Sequence, residues 1–560
     1  MKPTTLLLAS MALLGCQASS SSPSSAAQGI TVFTNAELIT MATDAPTATG
    51  ADTLVVRDNR IDYIGTLAQA QQQYGADINV IDLEGLTLMP GIHDSHVHAL
   101  EAGAEVGGNC WLQGDTLADI RQPLLDCRQR QTGSHWLTAY GHELHWLLEH
   151  ENPRALLDQW ISDRPVVVME QSSHSAWVNS KALAELGFDD RSDNPAGGII
   201  LRDPQGRANG ILLETAAEAA FDQAYKPTDD SFDLYYDGLM WAMEEMSRHG
   251  ITAIADARVY WQRGWLDVWQ QAEQDQTLTT RVNLGLWAYP LMADGIQLEY
   301  LKRQFRYDPE RLLQINQIKI YSDGIIHNTT AALKAPYDYS LDGVPATGVN
   351  YFTQARLANY IAALQQTGFD FHIHSIGDRG IHEALNAIEA NANAQRRHRL
   401  THVEMIDDQD LPRFAQLGVI ADMQVAGDFT LPQNFHWQIP YIGQRIDTAY
   451  RLKDLVDSGA HVVLSSDWTV SSLNPFIGIH NVVNRGEQSI SVEQALAAYT
   501  RDAAYLMRSE QRTGTLEVGK LADLIVIDRN PLRIDPSQIK HTQVLMTMMN
   551  GVVRYQHPDY

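Results

Sequence analysis

Short runs of alternating apolar and polar residues, separated by turn residues, fill positions 30–88, as in Thr53-Leu54-Val55-Val56-Arg57 before Asp58-Asn59. Alternation of that kind buries one face of a β-strand. The pattern returns at the other end, in Asp523-Leu524-Ile525-Val526-Ile527-Asp528 and from Val544 to Val553. Neither end is long enough to build a core alone, so residues 30–88 and 508–560 are expected to pair into one composite β-sandwich. Between them the pattern changes to short, continuously apolar runs spaced by stretches of helical periodicity, the mark of parallel strands covered on both faces. These runs are Leu86–Gly91, Val166–Met169, Ile251–Ala255, Val282–Trp287, Ile315–Tyr321, Phe369–His374, Leu400–Val403, Val419–Met423 and Val462–Ser465. Val166–Met169 falls in a stretch with too many loops for one crossover, which leaves eight. The expected fold is therefore α/β, a (β/α)8 TIM barrel over residues 89–507 with a large insertion, 103–230, after barrel strand 1. Insertions at the C-terminal ends of barrel strands cover the active-site mouth.

The first segment has a different character. Leu6 to Leu14 is an apolar run behind Lys2, too short to span a bilayer, and it ends in Leu13-Leu14-Gly15-Cys16. This resembles the lipobox of bacterial lipoproteins. The resemblance implies a signal peptide over 1–15 and a lipid on Cys16. Gln17 after the cysteine favours the outer membrane, facing the periplasm, over retention at the inner membrane. Residues 16–29, rich in Ser, Ala, Gln and Pro, read as a flexible tether. No later run is long and apolar enough for a membrane helix. Of the 3 cysteines, Cys110 and Cys127 then remain in a compartment that permits disulfides; a bridge between them and two buried thiols are both open.

Composition sharpens this picture mainly by exclusion. With 41 Lys+Arg against 68 Asp+Glu, the formal net charge is -27 over 560 residues. That balance argues against a nucleic-acid partner, because phosphate binding needs clustered basic side chains.

The candidate chemistry sits at strand ends. In Pro90-Gly91-Ile92-His93-Asp94-Ser95-His96-Val97-His98, residues two apart on a strand face the same side, so His96 and His98 project into one site while His93 points away. Paired imidazoles there suit a divalent borderline metal such as zinc. Other strand ends carry His374 in His372-Ile373-His374-Ser375-Ile376-Gly377-Asp378, His402 in Leu400-Thr401-His402-Val403-Glu404, and Asp467 in Ser465-Ser466-Asp467-Trp468.

With these residues in view, the chain resembles the amidohydrolase superfamily, specifically the amidohydrolase-3 group that includes N-substituted formamide deformylase-like proteins. Ser175-Ala176-Trp177-Val178-Asn179-Ser180, Gly198-Ile199-Ile200-Leu201-Arg202-Asp203, Lys319-Ile320-Tyr321-Ser322-Asp323-Gly324 and Gly514-Thr515-Leu516-Glu517-Val518-Gly519-Lys520 also carry the resemblance. It implies a hydrolase with one or two metals at the barrel mouth, and His96, His98, His374, His402 and Asp467 match its ligand positions. Lys319, on the fourth barrel strand, matches a lysine that relatives carboxylate with CO2 to bridge two metals; the plainer alternative is a buried lysine paired with a carboxylate such as Asp323. Asp467 is the expected general base and acid, serving a metal-activated water that attacks a carbonyl. His174, Trp177 and Asn179 in the insertion are expected to contact substrate. His142 and His145, with Trp146, read more simply as an aromatic packing cluster.

Two departures from the family bear on substrate. Ser172-Ser173 precede His174 where relatives have Asp-Gly, and Val425-Ala426-Gly427 follows Gln424 where a Pro and a later His are usual. The expected activity is hydrolysis of a C–N bond in a small amide, formamide or N-acyl compound by the monomer or a homo-oligomer. The alternatives are a deaminase or cyclic-amide hydrolase, and a non-catalytic solute-binding lipoprotein.

Overall fold

The computed structural model describes residues 29–43, 50–76, 78–103 and 110–560. The expected signal peptide, Cys16 and all but the last residue of the tether lie outside the described residues. Eight parallel strands follow one another in chain order around one sheet: β1 (Ile92–Val97), β2 (Ile251–Val259), β3 (Arg281–Trp287), β4 (Leu313–Tyr321), β5 (Asp370–Ser375), β6 (Arg399–His402), β7 (Ile420–Gln424) and β8 (Val462–Ser465). The first and last strands also meet. The Asp467 amide donates to the His96 carbonyl and the His98 amide to the Trp468 carbonyl, each at 2.8 Å. The sheet thus closes into the expected barrel.

Along β4 the polar Gln317 and Lys319 alternate with Ile318 and Ile320, which join the main core. The helices answer with apolar faces. Asp378–Glu389 buries Ile381, Ala384, Leu385 and Ile388, the i, i+3, i+4, i+7 stripe of a helix lying on a sheet.

One expected strand belongs elsewhere. The run Leu86–Gly91 is not a barrel strand; Thr87–Pro90 pairs antiparallel with Leu524–Ile527, near the C-terminus. The barrel starts one strand later, at β1, whose buried face is made of His and Asp side chains and so lacked an apolar signal. The terminal segments form two sheets, one with Ile30–Thr34 against Thr53–Arg57, the other with Leu524–Ile527 between Thr87–Pro90 and Val544–Met549. Phe33, Leu54 and Val56 pack against Leu524, Val526 and Met546 between them, which is the composite sandwich.

The insertion after β1 has its own five-stranded sheet, ordered Gly198–Arg202, Ala208–Glu214, Ser175–Val178, Val166–Glu170, Leu137–His142. Cys110 and Cys127 are joined by a disulfide, with their Cα atoms 5.6 Å apart. No helix among the described residues is long and apolar enough to cross a membrane.

Candidate active site

Five barrel strands deliver the predicted residues to one place. His96 lies on β1 and His98 just beyond it, Lys319 on β4, His374 on β5, His402 at the end of β6 and Asp467 just after β8. Ring centroids are 5.2 Å apart for His96 and His98, 5.3 Å for His96 and His402, and 4.5 Å for His374 and His402. Asp467 Oδ1 accepts from His98 Nε2 at 2.9 Å and lies 3.3 Å from His96 Nε2. His402 and Asp467 hold left-handed backbones, with φ of 74° and 56°. Such conformations cost about 1–3 kcal/mol for a non-glycine residue and collect at functional sites.

Burial sets the charge state. It drives the imidazoles of His96 and His374 well below their usual range, and His402 down to about 3. Neutral rings keep the lone pairs that a cation needs. Burial would push the Asp467 carboxyl up, but the hydrogen bond from His98 and the nearby His402 reverse this and hold it below its ordinary value.

Lys319 is fully buried, and its Nζ makes no hydrogen bond among the described residues. Burial takes its ammonium far below the ordinary lysine range, with Arg399 and Arg258 adding to the shift and Asp467 opposing it. The pairing with Asp323 does not form. Asp323 accepts instead from the amides of Ile376, Gly377 and Ala332, at 3.0, 2.8 and 2.9 Å.

His96, His402 and Asp467 place one ligand atom each within 4.8 Å of one another, and so do His96, His372 and Asp422. The second trio has a resident cation: Arg399 hydrogen-bonds His372 and lies 3.4 Å from Asp422 Oδ2. A metal is therefore better suited to the first. Both ring nitrogens of His374 and Nδ1 of His98 are buried without hydrogen-bond partners. Buried polar atoms of that kind are costly unless something binds them, so the residues present fit a divalent metal.

The amidohydrolase family model matches residues 79–555. The chain belongs to the amidohydrolase family. It is a metal-dependent hydrolase of that superfamily, an enzyme of carbon–nitrogen bonds. YtcJ of Bacillus subtilis (strain 168), an amidohydrolase by name, is 26% identical over 90% of this chain and 96% of its own. The N-substituted formamide deformylase of Arthrobacter pascens is 26% identical over 90% of this chain and 95% of its own. An uncharacterized metal-dependent hydrolase from Pyrococcus furiosus shares the fold, with a TM-score of 0.69 at 24% identity over 90% of this chain and all of its own.

The amidohydrolase cavity has a volume of about 800 Å³, and His374, His402 and Asp467 are on its surface. The insertion supplies one wall. His174 lines it and donates from Nδ1 to Glu214 Oε2 at 2.7 Å. Trp177 and Asn179 do not line it. Trp177 is buried in the insertion's own core with its indole N–H on the Pro153 carbonyl. Asn179 caps the helix Ser180–Leu186 and donates to the carbonyls of Ile161 and Arg164. Their hydrogen-bonding capacity is spent on the fold, so of the three residues expected to contact substrate only His174 reaches the cavity. His145 is exposed on the cavity wall, whereas His142 and Trp146 are buried.

Several residues had no sequence signal. Glu214, buried with φ of 57°, also accepts from Tyr351 OH at 2.6 Å and from Thr330 Oγ1. A Cβ at Gly324 would fall 2.5 Å from Glu214 Oε1, so only glycine fits there. Glu101 takes a two-pronged contact from Arg258, both oxygens 2.7 Å from Nη2, and Arg258 Nη1 donates to Tyr321 OH at 2.6 Å. These partners are far apart in sequence, and only the closed barrel joins them.

Proposed function

We propose that this amidohydrolase hydrolyses the C–N bond of an amide, formamide or N-acyl compound, with His96, His98, His374, His402 and Asp467 as ligands of one or two divalent ions, most simply zinc. The observation that carries this is the convergence of five strand ends on buried imidazoles, Lys319 and Asp467 beneath a large cavity, with both nitrogens of His374 and Nδ1 of His98 left without hydrogen-bond partners. A divalent metal there would supply the Lewis acidity that acidifies a water and polarises a carbonyl. Asp467, ionised in spite of its burial, takes the proton of the attacking water and returns it to the leaving nitrogen. His174, oriented by Glu214, faces the substrate from the insertion. Lys319 is carboxylated in this reading: an uncharged amine is the form that reacts with CO2, and the carbamate turns a repelled group into an anionic oxygen donor. The chain is exported and held to the outer membrane by a lipid on Cys16, a proposal that rests on the lipobox-like sequence.

Elemental analysis of the purified protein, beside hydrolysis assays on a panel of N-formyl and N-acyl amines, tests the reading. Stoichiometric metal with turnover of at least one class is expected. Absence of metal and of turnover across the panel overturns it.

A further inference from the structure

A cavity of about 800 Å³ is far larger than a formyl or acetyl group, so it has room for a bulky group on the far side of the scissile bond. The walls carry Glu143, Glu170, Glu404 and Asp467 but no lysine and no arginine. Residues 44–49, 77 and 104–109 contain neither, and residues 1–28 contain only Lys2. Two wall histidines, one following β4 and one in the insertion, do not replace a missing cation. His327 Nε2 is 3.1 Å from Glu170 and His145 Nδ1 is 3.1 Å from Glu143, so each is matched by its own carboxylate. Aromatic rings make up much of the remainder, among them Phe429, Trp437, Tyr441 and Trp468.

Resting on the reading above, we propose that the substrate is an amide of a bulky aromatic amine whose far end is uncharged or cationic, and that amides ending in a carboxylate, N-acyl amino acids included, are rejected. A carboxylate entering this cavity would lose its hydration without gaining a free counter-cation. A metal at the floor cannot help, because the scissile carbonyl must occupy that end. A cation at the far end gains from the faces of the rings.

The test uses N-formyl phenethylamines that differ only in the para group: a carboxylate, a carboxamide or a dimethylaminomethyl. With metal-loaded enzyme, kcat/KM for the neutral and cationic members should exceed that for the anionic one by about tenfold or more. Equal or better turnover of the anionic member overturns the proposal. Leu148, on the cavity wall and 41% exposed, offers a reciprocal check: L148K should narrow the ratio, and an unchanged ratio also counts against the proposal. Binding of the three parent amines to metal-stripped protein, followed by calorimetry, reads the same preference without turnover. If no amide is hydrolysed while the amines bind in the expected order, the hydrolytic reading fails and the charge preference stands. If amides are hydrolysed and the amines bind without regard to charge, the reverse holds.

Discussion

The Nδ1–H of His174 donates to Oε2 of Glu214 at 2.7 Å, joining two strands of the inserted sheet at the edge of the barrel mouth. With Nδ1 committed, Nε2 is the ring nitrogen left for the cavity. E214Q keeps the shape but offers a weaker, mixed donor and acceptor in place of a carboxylate. The expected result is a fall in kcat of about 10- to 100-fold with KM altered much less. Metal content should not change. A variant with wild-type kcat would reduce Glu214 to a packing group.

Lys319 gives the second prediction. K319A should lose activity by at least about 100-fold, and small carboxylates such as acetate should restore part of it. Incubation of the wild type with carbon-13-labelled bicarbonate should produce a carbamate resonance that K319M lacks. A spectrum without that resonance, in active enzyme, would rule out the modification.

Chelation gives the third. The buried, unpartnered nitrogens of His98 and His374 are satisfied only when something binds them. Stripping with a chelator should lower the thermal midpoint by several degrees, and zinc should restore it, since a ligand held at about 1,000 times its Kd contributes about 4 kcal/mol. Identical midpoints with and without metal would contradict the assigned ligands.

His142 gives the fourth, away from the barrel. It is completely buried, and burial lowers it to about 4 although Glu170 and the Met169 backbone pull the other way. Between pH 6.5 and 4 the unfolded chain therefore holds the extra proton. The neutral ring's contribution is intact above pH 6.5 and is lost as pH falls toward 4, by up to about 3 kcal/mol. In H142N that part of the acid sensitivity should vanish. Parallel stability curves for the two proteins would show that the ring is not buried neutral.

What was legible in the sequence divides along physical lines. The His96–Val97–His98 pair was readable from its two-residue spacing, and His374, His402 and Asp467 because each stands at or just past the end of an apolar run, where strand geometry aims the side chain. β1 itself was mistaken for the neighbouring Thr87–Pro90, because a strand whose face carries ligands sheds the apolar pattern that marks its companions. Trp177 and Asn179 were misassigned because a family motif does not say whether a residue serves the substrate or the fold. Glu214 and Arg258 were invisible, since their importance comes from partners such as Thr330, 116 residues on, and Glu101, 157 residues back.

The seam between β1 and β8 is closed by the amides of Asp467 and His98 on the carbonyls of His96 and Trp468. Three of these four residues are among those assigned to the chemistry. The closure of the barrel and the completion of its reaction centre therefore depend on the same bonds, and a chain in which that seam has not formed would be inert as well as unstable. Turnover thus becomes a gauge of maturation: any active molecule has, by that fact, finished folding.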